Sequence, residues 1–180
     1  MSADMPDPLK LLLDIEKRSH QVGSELFAPP ASKPEWRGIV FRVGELTLAV
    51  SDADVSEMLT IPDVTWVPGS QTWLLGIANV RGELVPVVDL RRFLFEEPVN
   101  EDKHTRVLIL HHRLVRTGLM VDEVWGMQRF LVETHTDTIP ESTQPVRAYL
   151  NGSYADEAQR IAVLSVHTLV EDERFLRAAA

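Results

Sequence analysis

The apolar residues of this chain come in short runs, and a turn pair or a proline interrupts them about every ten residues. Runs of this length do not build the long helices of a parallel α/β sheet; they read as strands of small antiparallel barrels. From Trp36 onward the runs are Gly38–Val43 and Leu46–Val50, joined by Gly44-Glu45 as a tight hairpin, then Val55–Leu59 after the polar Ser51–Asp54. Pro62, Pro68 and Gly69 break the chain again. Leu74–Val80 and Leu84–Leu90 form a second hairpin across Arg81-Gly82. Pro86 marks an edge or a bulge in the second of these strands. Leu84, Val85, Val87, Val88 and Leu90 do not alternate with polar residues, so both faces of that strand are expected to be covered. Glu96–Thr105 is a polar loop, Arg106–His111 and Gly118–Val124 a third hairpin, and Thr134–Gln144 a long loop. Ile161–Val166 is a last strand, followed by a C-terminal helix over Val170–Ala179.

Ahead of the strands the pattern differs. Asp7-Pro8 reads as a helix start, and Leu12, Ile15, Val22 and Leu26 recur at helical spacing. Pro29, Pro30 and Pro34 end that helix, which makes residues 1–35 an arm and linker and residues 36–180 the domain. Within the domain two stretches echo two others. Ala49-Val50-Ser51-Asp52 with Val55 and Met58 is repeated by Met120-Val121-Asp122 with Val124 and Met127. Val87-Val88-Asp89-Leu90 with Phe93-Leu94 is repeated by Val163-Leu164-Ser165-Val166 with Leu169-Val170. Two echoes in the same order point to a duplicated β-subdomain.

Composition narrows the function classes. The chain has no cysteine, which excludes a disulfide framework, thiol catalysis, Fe–S clusters and cysteine-ligated zinc. Its net charge of −9 opposes binding to nucleic acid or to anionic lipid. No apolar run is long enough to span a membrane, and the N-terminus lacks the basic region of a secretory signal, so a cytoplasmic location without membrane insertion is expected. No phosphate-binding glycine loop and no nucleophile elbow occur, and no cofactor is expected. His111 and His112 are adjacent at a strand end, so their side chains point to opposite faces and do not chelate one metal. His20 reads as a solvated helix residue. Trp36, Trp66, Trp73 and Trp125 are spread along the chain and read as core or subdomain-interface packing. The alternative of another class, a small hydrolase or small-molecule sensor, would need Asp122 and His111 to converge in a cleft; Asp122, at a strand end, reads more simply as a turn carboxylate.

The most informative segment runs from Leu75 to Leu90. Gly76, Asn79, Arg81, Gly82, Pro86, Asp89 and Leu90 match the pattern G-x-x-N-x-R-G-x-x-x-P-x-x-D-L. This segment resembles the signature of the CheW family, the adaptors of bacterial chemotaxis arrays. Gly118-Leu119-Met120-Val121-Asp122-Glu123-Val124 is similar to a second motif of that family, and Tyr149-Leu150-Asn151-Gly152 to a third. The resemblance implies a mainly β fold of two intertwined five-stranded SH3-like barrels, here with the N-terminal helical arm and the C-terminal helix added.

It also implies a non-enzymatic scaffold that couples the cytoplasmic tip of a transmembrane chemoreceptor to the regulatory domain of a CheA-type histidine kinase. Such an adaptor is cytoplasmic and is recruited to membrane-associated receptor arrays. The receptor-binding positions of the family correspond to Val55, Glu57 and Met127, while a position that is usually apolar is Arg106 here. The resemblance implies that the strand carrying Leu84 is part of the kinase-binding surface. The arm, Leu11-Leu12-Leu13-Asp14-Ile15-Glu16-Lys17-Arg18 before a proline-rich linker, is similar to the PilI branch, the adaptors of type IV pilus (twitching) chemosensory systems. An adaptor of flagellar chemotaxis is the alternative within the family.

Overall fold

The apolar runs fold as their turn pairs predict. β1 (Glu35–Val43) and β2 (Leu46–Ser51) form an antiparallel hairpin across Gly44-Glu45. The Ser51 hydroxyl accepts the Ala53 N–H and opens a 3-10 turn at Asp52–Asp54, from which β3 (Val55–Leu59) leaves. After the two-residue β4 (Val64–Thr65), β5 (Leu74–Val80) and β6 (Glu83–Asp89) form the Arg81-Gly82 hairpin. β7 (Arg106–His111) and β8 (Arg116–Val121) form the next, and β9 (Glu123–Leu131), β10 (Leu150–Ala155) and β11 (Arg160–Leu164) complete the strands. The structure is a computed structural model that describes residues 33–178, apart from 114, 157 and 158. The expected helix of the arm, with His20, lies outside the described residues.

Two sheets result, and they repeat one plan. In the first the order is β10-β11-β2-β1-β9, and in the second it is β3-β7-β8-β6-β5-β4. Each centres on a hairpin, β1–β2 or β7–β8. A parallel partner lies on one side of the hairpin, β11 beside β2 and β6 beside β8. On the other side lies a strand that follows the opposite hairpin in sequence: β9 beside β1, and β3 beside β7. These exchanged strands make the two SH3-like subdomains intertwined. Neither sheet closes on itself by backbone hydrogen bonds.

Strand alternation then sends the two faces of each hairpin to different cores. Val107, Ile109 and Met120 point into a core within the second subdomain, together with Ala78, Val85 and Val87. Val40, Ala49, Phe130, Tyr154 and Ile161 form the equivalent core of the first. The intervening residues Phe41, Leu48, Val50, Leu108, Leu110, Leu119 and Val121 face a larger shared core between the subdomains, with Val88, Leu90 and Leu164. Central strands are therefore apolar on both faces, which is why their sequences do not alternate with polar residues.

Several expectations need correction. The run Gly118–Val124 is not one strand. It breaks at Asp122, and β9 departs from there to the other sheet. β10 has no apolar run to announce it; Ser153 is fully buried, and its hydroxyl donates to Thr138 O at 2.5 Å while accepting Arg160 Nε at 3.0 Å. The long loop contains 3-10 turns at Val132–Thr134 and Glu141–Tyr149. β8 flanks β6 only from Val87 to Asp89, so β6 is internal there but has an open edge on that side up to Pro86. Pro86, which has no N–H to give, sits just ahead of that ladder, and its carbonyl accepts the Thr117 hydroxyl at 3.1 Å. Leu84 is not covered but 75% exposed.

Both apolar runs that seemed to end as strands turn into helices. α1 (Leu90–Phe95) starts at Asp89, whose side chain accepts Arg92 N–H, and α2 (Val166–Glu171) starts at Ser165, whose side chain accepts Thr168 N–H. The C-terminal helix is two short ones, α2 and α3 (Glu173–Leu176), with Asp172 as the N-cap of α3. Tyr149 donates its hydroxyl to Asp172 at 2.5 Å. Burial and that bond push the Tyr149 phenol up to about 12. Burial alone would raise the Asp172 carboxyl, but the phenol and the Arg174 N–H outweigh it and hold it below its ordinary value.

Candidate functional site

The signature segment divides into a buried part and an exposed part. Gly76 belongs to the first: a Cβ there would lie 2.3 Å from the Thr65 carbonyl oxygen, so only glycine lets β4 pair alongside β5. Asp89 and Leu90 are buried. Asp89 accepts Arg92 N–H at 2.9 Å with one oxygen and Val99 N–H at 3.0 Å with the other, which ties the loop after α1 back to β6. Burial raises the Asp89 carboxyl above its ordinary value, against the pull of those two N–H groups.

The exposed part is the hairpin tip. Arg81 and Gly82 both have positive φ, at 54° and 90°, the geometry of a two-residue hairpin turn. Asn79 Oδ1 accepts Gly82 N–H at 2.8 Å and closes it. This turn aims Arg81 at β3, where its Nε lies 2.9 Å from Glu57 Oε2. Arg116 of β8 approaches the other Glu57 oxygen at 3.6 Å and also pairs with Glu83. Glu57 thus sits between two guanidiniums, with its side chain 14% exposed. The sequence offered no sign of the Arg116 contact, because residues 57 and 116 meet only through the ladder of β3, β7 and β8.

Val55 lies on the same strand as Glu57 and packs partly against the shared core. Met127 lies on β9, in the other sheet, and is exposed. It is the counterpart of Met58: β3 and β9 are the exchanged outer strands, and both methionines are open to solvent. Both strands carry a bulge, at Ser56 and at Trp125. The Arg106 guanidinium is held against the backbone, donating to the carbonyls of Lys103 at 2.9 Å and Thr105 at 2.7 Å. Trp36 stacks on Tyr154 at 4.6 Å, and Trp73 is buried. Trp66 and Trp125 do not pack inside as expected; they are among the exposed apolar residues, with Leu84 and Leu176.

The pairing of Asp122 with His111 in a cleft does not occur. Asp122 spends its oxygens on the Gly44 N–H at 2.7 Å and on Arg91 at 3.4 Å. His111 pairs with Arg116 at the far end of the β7–β8 hairpin, whereas Asp122 follows Val121, the partner of Arg106. Five strand residues separate the two ends, about 17 Å. Among the described residues no group of three His, Asp or Glu side chains is placed to hold a metal ion.

Comparison with known proteins agrees with this geometry. A family model described as CheW-like domain matches residues 37–174. Protein PilI of Pseudomonas aeruginosa is 37% identical over 177 residues, covering 98% of this chain and 99% of its own. Chemotaxis protein CheW of Bacillus subtilis is 31% identical over 106 residues, covering 59% of this chain and 67% of its own. The crystal structure of scaffolding protein TtCheW from Thermoanaerobacter tengcongensis superposes with a TM-score of 0.68 at 23% identity, covering 78% of this chain and 96% of that one; it shares the fold.

Proposed function

This chain belongs to the CheW-like domain family, and we propose that within it the chain serves as the receptor–kinase adaptor of a type IV pilus chemosensory array. The family is one of non-enzymatic scaffold adaptors. The carrying observation is the extent of the likeness to PilI. It takes in 98% of this chain, and so reaches through the arm ahead of residue 37, where the family model begins. The similarity to the Bacillus CheW covers 59%. Residues 1–35 are then an arm that this branch carries in addition to the adaptor domain of residues 36–180. Val55, Glu57 and Met127 are the receptor contacts, on the two exchanged strands, and Leu84 is a kinase contact. Among the described residues no helix is long and apolar enough to cross a membrane.

The test is a deletion strain. Loss of twitching with normal swimming, restored by the full chain, is the expected result. Loss of swimming with intact twitching would replace the pilus pathway by flagellar chemotaxis. Co-purification of the chain with receptor and kinase checks the adaptor role itself, and a chain that retains neither partner would overturn it.

A further inference from the structure

A cleft of about 480 Å3 opens between α1, α3 and the segment that leads into β5, lined by Gln71, Thr72, Arg92, Phe93, Glu96 and Arg174. It shares no residue with Val55, Glu57, Met127 or Leu84. Two guanidiniums thus face one cleft of a chain whose net charge is −9. Both are held in place. Arg92, on α1, donates Nη1 to Thr72 O at 3.0 Å. Arg174, on α3, donates Nη2 to Phe93 O at 3.2 Å and lies over the Phe93 ring, 5.0 Å from its centroid. That ring is buried and packs against Trp73 and Phe175.

The carboxylates near these arginines are committed elsewhere. Asp89 lies 4.0 Å from Arg92 Nε, but its two oxygens accept Arg92 N–H and Val99 N–H. Asp172 accepts the Tyr149 hydroxyl with one oxygen and Arg174 N–H with the other. Among the described residues the two guanidiniums form no other ion pair. A guanidinium carries five N–H groups in a rigid fork, and most of each fork is left to the cleft. Two like charges in one cleft repel, and an anion placed between them relieves both. A carboxylate has one charge and two oxygens, which a single bidentate guanidinium satisfies. A phosphate monoester brings a charge of about −1.5 to −2 at neutral pH and three acceptor oxygens, enough for both. The cleft falls within the roughly 300–1,000 Å3 of small-molecule sites, so it has room for the group that carries the phosphate. Gln71 and Thr72 offer that group an amide and a hydroxyl.

We propose that this cleft binds a small phosphate monoester, with Arg92 and Arg174 clamping the phosphate. Glu96, at the end of α1, lines the same cleft and weakens the hold by its like charge. Because one arginine is on α1 and the other on α3, the bound ligand fastens the C-terminal helix to the helix that follows β6, and occupancy stabilises the fold.

Glycerol 3-phosphate, inorganic phosphate and succinate are titrated by calorimetry into the full chain at fixed ionic strength, with melting curves in parallel, and the series is repeated on Arg92→Gln, Arg174→Gln and Glu96→Gln. Expected are saturable binding of glycerol 3-phosphate with a raised melting temperature, and roughly tenfold weaker binding by each arginine variant. Glu96→Gln is expected to bind severalfold more tightly. Glu96 is exposed, so this variant is expected to melt with the unliganded wild type, and it carries the test should an arginine variant fold poorly. Binding of inorganic phosphate without the ester would make the ligand the free ion and overturn the monoester. Succinate bound as tightly as the ester would overturn the preference for phosphate. No saturable binding of any probe, or an affinity that none of the three variants moves, would overturn the site.

Discussion

Glu57 holds one negative charge between the guanidiniums of Arg81 and Arg116, with most of its side chain out of water. The Arg81 side chain is 80% exposed, so that ion pair alone contributes little to stability. Removing the charge and reversing it therefore have different consequences. Glu57→Gln keeps the shape and an acceptor, and it is expected to cost about 1 kcal/mol or less. Glu57→Lys places a third cation beside two others in a half-buried position and is expected to cost about 2 kcal/mol. Both variants are expected to lose co-sedimentation with receptor, and only the lysine variant to show a clearly lowered melting temperature. Receptor binding by Glu57→Gln at the wild-type level would remove the carboxylate from the contact. The glutamine variant is the informative one, because a loss of binding by the lysine variant cannot be separated from its damage to the fold.

At the scale of elements, the strand-to-helix junctions repeat. Asp89 and Ser165 each end a parallel-paired strand and cap the short helix that follows. They differ in load. Ser165 serves α2 with its side-chain bonds to Thr168, whereas Asp89 serves α1 and also the Val99 N–H, a buried contact ten residues on. Ser165→Ala is expected to cost about 1 kcal/mol, an ordinary cap loss. Asp89→Ala is expected to cost more, about 2–3 kcal/mol, because it also strands a buried N–H. Urea denaturation with an unchanged slope checks both, and equal costs would mean that the Val99 contact carries no weight. These junctions show what the sequence could and could not disclose. The echo of Val88-Asp89-Leu90 in Leu164-Ser165-Val166 marked both sites, yet apolar continuity made Leu90 and Val166 look like strand residues. Hairpins closed by Gly44-Glu45 and Arg81-Gly82 were legible because their chemistry is local. The break at Asp122 was not, since its partners, Arg42 O and Gly44 N–H, lie about 80 residues earlier. β10 left no trace because its most buried residue is Ser153, and only tertiary partners make that burial tolerable. The family resemblance implied Val55, Glu57, Met127 and Leu84 as docking positions, but the Arg116 contact and the cleft between Arg92 and Arg174 exist only once the sheets are assembled.

At the scale of the whole molecule, the duplication in sequence becomes an exchange of strands. β3 follows the β1–β2 hairpin but completes the sheet of β7 and β8; β9 follows the β7–β8 hairpin but completes the sheet of β1 and β2. The chain therefore has no cut that leaves one subdomain whole. A first half of residues 1–105 keeps β3 and β6 but lacks β7 and β8, which lie between them. A second half of residues 106–180 keeps β9 and β11 but lacks β1 and β2. Each half would also expose the faces of its strands that meet in the shared core, such as Phe41 and Leu48 in one and Leu108 and Leu119 in the other. Burial of such residues is the main favourable term in folding, so neither half has a route to stability alone. Each half by itself is expected to lack a cooperative melt, while the two co-expressed assemble and recover the far-ultraviolet spectrum of the intact chain. The intact domain is expected to unfold in one transition, with circular dichroism and tryptophan fluorescence coincident, because Trp36 lies in one subdomain and Trp73 against the shared core. A cooperative melt of either half alone would show that its strands re-pair into a sheet of their own, and the exchange would then not be what holds the two subdomains together.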